Sequence, residues 1–266
     1  MARQLLIYDK VAPLNRTTHR NLSVRQTTSF GFARGTNSVP LVDVEFARAA
    51  AEMPVVFART DGGLVCVALL GVERDSNLFV AADGSWDGRY VPAFFRRYPF
   101  VFATQPDSDR LTLCIDESFE GVNDKGLGER MFDAEGVETG YTRNVLRFAE
   151  EYQAVFARTE AFCKRLDQSG LLEEARIDYT LPGGRKGSVT GFLRVSAERL
   201  RGLPDERVLA LFRSGDLDLI QAHLISMNQI EALIARHRPT DEAADAPPAS
   251  GANGAASPED TEPAQG

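Results

Sequence analysis

The chain has 266 residues, 43% hydrophobic and 26% charged, the composition of an ordinary globular protein long enough for one large or two small domains. Its net charge of −8 is uneven. No Lys or Arg follows Arg238, whereas Asp241, Glu242, Asp245, Glu259, Asp260 and Glu262 do, so the body is nearly neutral. A neutral body with an acidic tail excludes nucleic-acid binding, which needs a basic surface to displace counterions.

The first fifteen residues, MARQLLIYDKVAPLN, lack the apolar run and cleavage site of a secretory signal. No stretch approaches the roughly 20 apolar residues of a membrane span. A cytoplasmic location is therefore expected. Residues 1–40 are rich in Thr, Asn and Arg, with strand-like pieces such as SFGFA at 29–33. The run DVEFARAAAE (43–52) predicts a short helix ended by Pro54. VVFART (55–60) and LVCVALLGV (64–72) flank Asp61-Gly62-Gly63, a strong hairpin signal. NLFVA (77–81), 100–104 and 111–115 read as further short strands, the last two joined by a turn in QPDSDR.

Residues 116–140 are rich in Gly, Asp and Glu and read as a surface connection. Val145, Phe148, Tyr152, Val155, Phe156, Phe162, Cys163 and Leu166 then recur every three or four positions. This predicts a long amphipathic helix over about 142–169, with Gly170 as its C-cap. ARIDYTL and SVTGFLRV follow as a strand pair around Pro182-Gly183-Gly184. Ser196 caps a helical turn, Asp205 caps a helix stopped at Ser214-Gly215, and Asp216 caps a final helix to about His237. From Thr240 onward there is no Leu, Ile, Val or aromatic residue, so a disordered tail is expected over 239–266.

Strands in a run followed by helices in a run predict an α+β fold. A mainly antiparallel sheet from the N-terminal half is packed by the long helix and the C-terminal helices. Residues 1–238 form one domain, with a sub-boundary near 120–140 as the alternative. The C-terminal strand pair either extends that sheet or forms a small second one.

Cys66, Cys114 and Cys163 are odd in number and far apart, with no CxxC pair, so neither a disulfide framework nor a zinc site is indicated. Their apolar contexts predict buried, reduced thiols. No other pattern implies a metal or cofactor. The DGSWD stretch at 83–87 lacks the ladder of a calcium loop, and the glycines at 183, 184 and 187 match no phosphate-binding motif.

The segment GSWDGRYVPAFFRRYPF (84–100) holds six aromatic residues in seventeen, against 9% in the whole chain. It also carries the one tryptophan and three arginines. Pro92 suits the first turn of a short helix and Pro99 ends it. A guanidinium beside aromatic faces recognises a carboxylate, a phosphate or a peptide C-terminus. Trp86, Tyr90, Arg96, Arg97 and Tyr98 are thus candidate partner-binding residues. The competing reading puts the rings in the core and pairs the arginines with Asp or Glu. His19, four residues after Asn15, and the Asp116-Glu117 pair are the candidates for acid–base chemistry. Glu150-Glu151 reads as solvated surface. His223 lies near the apolar face of the last helix, and no GxSxG motif supports a hydrolase triad.

The order of several segments carries a family resemblance. LNRTTHRNLSV is followed by NSVPLVDVEFARAAAEMPVVF, ALLGVERDSNLFV, DGSWDGRYVPAFFRRYPF, LTLCIDE, MFDAEG, VTGFLRVSAERL and SGDLDLIQAHLISMNQIEAL. Over about residues 5–236 the chain resembles the bacterial SapC family, a surface-layer-associated group distinct from saposins and from the peptide-transporter permease of the same name. The string of NLFV, Trp, Tyr-x-Pro-Ala and RRYPF is its most specific element. The resemblance implies no catalytic residue and no cofactor. It implies an association with surface layers. Through relatives encoded near outer-membrane receptors and oxidative tailoring enzymes, it also implies an accessory role in uptake or modification of peptides or aromatic compounds. A non-enzymatic binding or accessory protein with a protein or peptide partner is the leading expectation. An enzyme using His19 or Asp116-Glu117, and a surface-layer structural component, are the alternatives.

Overall fold

The computed structural model describes residues 6–104, 111–181 and 183–237. The QPDSDR turn, Pro182 and the acidic tail lie outside the described residues. In chain order the elements begin with β1 (Val11–Pro13), β2 (Ser23–Val24), β3 (Ser38–Pro40), α1 (Phe46–Ala49), β4 (Val55–Thr60) and β5 (Gly63–Leu69). Next come α2 (Ala93–Arg96), β6 (Phe100–Thr104), β7 (Leu111–Asp116), β8 (Val122–Asn123), β9 (Glu129–Arg130) and α3 (Gly140–Gln168). Last are β10 (Leu172–Thr180), β11 (Lys186–Val195), α4 (Ala197–Arg201), α5 (Asp205–Ser214), α6 (Asp216–Ser226) and α7 (Gln229–Ala235). The fold is α+β, with antiparallel strand pairing throughout the sheets.

The main sheet has five strands in the order β10-β11-β4-β5-β3. Its centre is the β4–β5 hairpin, closed at Thr60↔Gly63 with Gly63 at φ +108°, a conformation that glycine alone adopts freely. The C-terminal strand pair extends this sheet, because Leu193 of β11 pairs with Phe57 of β4. Two three-stranded sheets, β1-β7-β6 and β8-β2-β9, hold the other strands of the described residues.

Helix α3 serves two cores. Thr139 caps its start by accepting from the Thr142 amide, and Gly170 follows its end at φ +74°. Ala149 packs into the smaller core with Val24, Phe100, Ile115, Phe119 and Met131. Phe162, Cys163 and Leu166 pack into the large core against the main sheet. Between the two lies a small cluster of Val42, Ala93 and Tyr152. A bidentate pair fastens α3 to α6: Arg165 Nε and Nη2 reach the Asp216 carboxylate at 2.8 and 2.6 Å.

Several local expectations are corrected. Residues 29–33 hold a 3-10 turn, Gly31–Ala33, rather than a strand. Residues 77–81 form turns with a single bridge, Val80↔Trp86. The buried Asn77 accepts from the Phe79 amide and donates to the Ala33 carbonyl, which bends the chain. The last helix breaks in two. Ser226 Oγ donates to the His223 carbonyl at 2.6 Å and accepts from the Val55 amide at 2.9 Å, and α6 ends there. Asp205 is the first residue of α5 rather than its cap, which is Pro204. All three cysteines are buried and free.

His223 locks the sheet to α6. Extending the register from Leu193↔Phe57 puts Val55 opposite Val195. The imidazole fills that rung: Nδ1–H donates to the Val55 carbonyl at 2.6 Å and Nε2 accepts from the Val195 amide at 3.0 Å. The ring is fully buried, and burial pushes its pKa down to about 4.

Candidate functional site

The aromatic–arginine segment lies at the seam between the two cores. Pro92 precedes α2, whose Phe94 and Phe95 are buried in the large core. Trp86 stacks on Phe79 at 5.4 Å and 19°, meets Phe30 and Phe95 at 5.5 and 5.7 Å, and donates from Nε1 to the Tyr90 carbonyl. A Cβ on Gly88 would lie 2.7 Å from that nitrogen, so glycine is needed for the indole to seat. Tyr90 donates to Glu45 Oε1 at 2.6 Å, and burial with this contact pushes its phenol up to about 12. Glu45 is itself buried, accepting also from the Val42 and Ala93 amides at 3.0 and 2.7 Å. One carboxylate thereby fixes the start of α1, the start of α2 and the Tyr90 ring.

The two adjacent arginines have opposite environments. Arg97 is 6% exposed, with its guanidinium carbon 4.4 Å from the Phe94 centroid and 4.8 Å from that of Tyr152. Arg96 is exposed. Its Nε donates to the Val91 carbonyl, and its guanidinium lies 5.9 Å from the Tyr90 ring and 5.6 Å from the Phe148 ring. Tyr98 stacks on Phe32 at 4.3 Å and 26° and donates to Asp116.

Arg96, Arg97 and Tyr98 line one open cleft of about 490 Å³. Its other walls bring Phe30 and Phe32 from the N-terminal segment, Phe119 after β7, and Tyr141, Asn144 and Phe148 from α3. Arg96 and Phe148 divide this cleft from a second hollow of about 310 Å³ that is lined by Tyr90, Arg48 and Glu151. The cleft therefore offers ring faces and a cation held within 6 Å of two rings, suited to an aromatic or peptide-like ligand with an anionic group. Of the five sequence-derived residues, Trp86 alone lines neither hollow; it buttresses the wall. Reading the sequence missed Phe30, Phe32, Tyr141 and Glu45. Phe148 was visible only as a member of the apolar series of α3.

The candidate acid–base groups form another cluster. His19 is buried, and its Nδ1 accepts from the Asn15 amide at 3.2 Å while Nε2 lies 3.2 Å from Glu117 Oε1. Lys10 pairs with the other Glu117 oxygen at 2.8 Å, and these contacts hold the Glu117 carboxyl below the usual range. Asp116 points inward instead. It accepts from the Asp9, Lys10 and Ser118 amides and from the Tyr98 and Ser118 hydroxyls. His19 and Glu117 thus meet, but neither lines the hollows described above, and their contacts tie the 14–20 loop and β1 to the end of β7. Among the described residues, no group of three or more His, Cys, Asp or Glu is placed to hold a metal ion, and no helix is long and apolar enough to cross a membrane. Glu150 and Glu151 are exposed.

A family model described as SapC matches residues 14–233. The chain belongs to the SapC family. The matched span includes the cleft walls of this SapC chain from Val24 to Phe148, together with the α6 helix that carries His223. No curated protein and no solved structure matches this SapC chain.

Proposed function

We propose that the chain is a non-enzymatic binding or accessory protein that holds a protein or peptide partner in the aromatic cleft. The observation that carries this reading is the exposed Arg96 guanidinium, held against the Tyr90 and Phe148 rings at the cleft wall. A cation pre-ordered in this way loses little freedom on meeting a carboxylate, and the rings supply apolar area beside it. The partner's matching feature is an aromatic side chain next to an anionic group such as a peptide C-terminus. Association with surface-layer, uptake or peptide- and aromatic-modification systems, and a cytoplasmic location, belong to the same proposal. Fractionation of the expressing cell tests the location.

Arg96→Ala is the informative variant, because Arg97 is buried and its removal would disturb the packing around Phe94 and Tyr152. In a pull-down with the full chain, wild type is expected to capture a partner that Arg96→Ala loses at unchanged thermal stability. A peptide with a free aromatic C-terminus is expected to bind at least about tenfold more tightly than its amide, the value of one hydrogen bond to a charged group. Equal capture by wild type and Arg96→Ala would remove the cleft from the reading.

A further inference from the structure

Helix α5 contributes no buried residue to the protein and no wall to either hollow described above. Val208 and Leu211 are half buried, and Leu211 packs against the large core. A second flank of the helix is apolar as well and faces outward. Leu209 is 45% exposed, and Phe212, at 66%, is the most exposed large apolar side chain among the described residues. One such side chain is ordinary on a protein surface, but two on one helical stripe with charges at both ends have the apolar centre and polar rim of an interface.

The charges on that flank say what covers it. At about 3.6 residues per turn, Asp205, Glu206, Leu209, Phe212 and Arg213 share one side of α5. The carboxylates sit in the first turn and the guanidinium in the last, too far apart along the helix to pair with each other. Among the described residues no ion pair or side-chain hydrogen bond engages Asp205, Glu206 or Arg213. Glu206 and Arg213 are equally far from the midpoint between Leu209 and Ala210, so the stripe is complementary to itself when reversed end for end. A membrane surface would need an excess of cations here, whereas the flank carries two carboxylates to one guanidinium.

We propose that α5 is the interface of a two-fold dimer of this chain, in which two copies of the helix pack antiparallel about an axis between Leu209 and Ala210. Each Glu206 then faces Arg213 of the second copy, the two Leu209 side chains meet near the axis beside the small Ala210, and each Phe212 covers apolar surface across it. A parallel pairing would instead set every charge against its own copy. One ten-residue helix per copy covers less than the roughly 800 Å² per partner of a standard interface, so the dimer is weak and depends on concentration. This surface does not rest on the partner reading of the aromatic cleft.

Sedimentation equilibrium of the full chain over about 5 to 500 μM tests the interface. The mass is expected to rise from the 29.2 kDa of one chain towards twice that value. Phe212→Asp, at an exposed position, should abolish the rise at an unchanged thermal midpoint. Glu206→Arg and Arg213→Glu each set like charges opposite one another in the antiparallel pair, so either variant alone should dimerise at least about tenfold more weakly. Mixed in equal amounts, the two variants restore both opposite-charge pairs and should associate as well as wild type does. A constant mass at every concentration would overturn the proposal and leave the flank to a different protein. A rise that survives Phe212→Asp, or two charge variants that fail to associate when mixed, would overturn it as well.

Discussion

Replacing His223 by alanine should lower the unfolding free energy by about 3–5 kcal/mol, measured by urea denaturation at pH 7.5. The loss combines a cavity with the buried Val195 amide left without its acceptor and the Val55 carbonyl left with only the Ser226 hydroxyl at 3.4 Å. The same ring makes stability depend on pH. Its folded pKa of about 4 lies below the unfolded value of about 6.5, so the folded state resists protonation. The contribution is complete above pH 6.5 and is lost as pH falls from 6.5 towards 4, by about 3 kcal/mol at 1.4 kcal/mol per unit. Subtracting the profile of His223→Gln isolates this slope from the carboxylates that titrate lower. A flat difference between the two proteins would show that the ring is not the neutral bridge described.

Glu45→Ala is expected to cost about 3–5 kcal/mol as well, by a different route. The carboxylate accepts from the Val42 amide, the Ala93 amide and the Tyr90 hydroxyl, and alanine leaves the two amides buried without an acceptor and releases the half-exposed Tyr90 hydroxyl. Glu45→Gln keeps one carbonyl oxygen and should cost about half as much. Both variants should also loosen Tyr90, and with it Arg96, so partner binding falls further in Glu45→Ala than stability alone accounts for. Chemical denaturation and binding measured on the same preparations separate the two effects. Unchanged stability in Glu45→Ala would mean that α1 and α2 are anchored by packing alone.

Elements decided by neighbours in sequence were legible from sequence. The Asp61-Gly62-Gly63 turn closes its hairpin, and the apolar series from Val145 to Leu166 becomes α3 with its glycine stop. Elements decided by distant partners were not. The run at 77–81 is apolar enough for a strand, yet Asn77 bends it through the Ala33 carbonyl, more than forty residues away. The last helix shows unbroken periodicity, yet Ser226 serves Val55 and the helix ends. The site divides in the same way. The density of rings and arginines at 84–100 marked the region, but Arg96 and Arg97 are indistinguishable as letters. Only the packing of α2 sends one into the interior and leaves the other at the surface. Phe30, Phe32 and Tyr141 reach the cleft from segments far from 84–100 along the chain, and no spacing rule links them to it.

The pairing of Phe57 with Leu193 also governs the order of assembly during synthesis. When β4 and β5 leave the ribosome, the β4 edge that will receive β11 has no strand beside it, and the imidazole that bridges it lies 168 residues further on. Completion of the main sheet waits for β10 and β11 in the last two fifths of the chain, which is the behaviour of a slow, high-contact-order topology. Until then an apolar strand edge is open to other nascent chains, so chaperone demand should track truncations that remove β11 or α6.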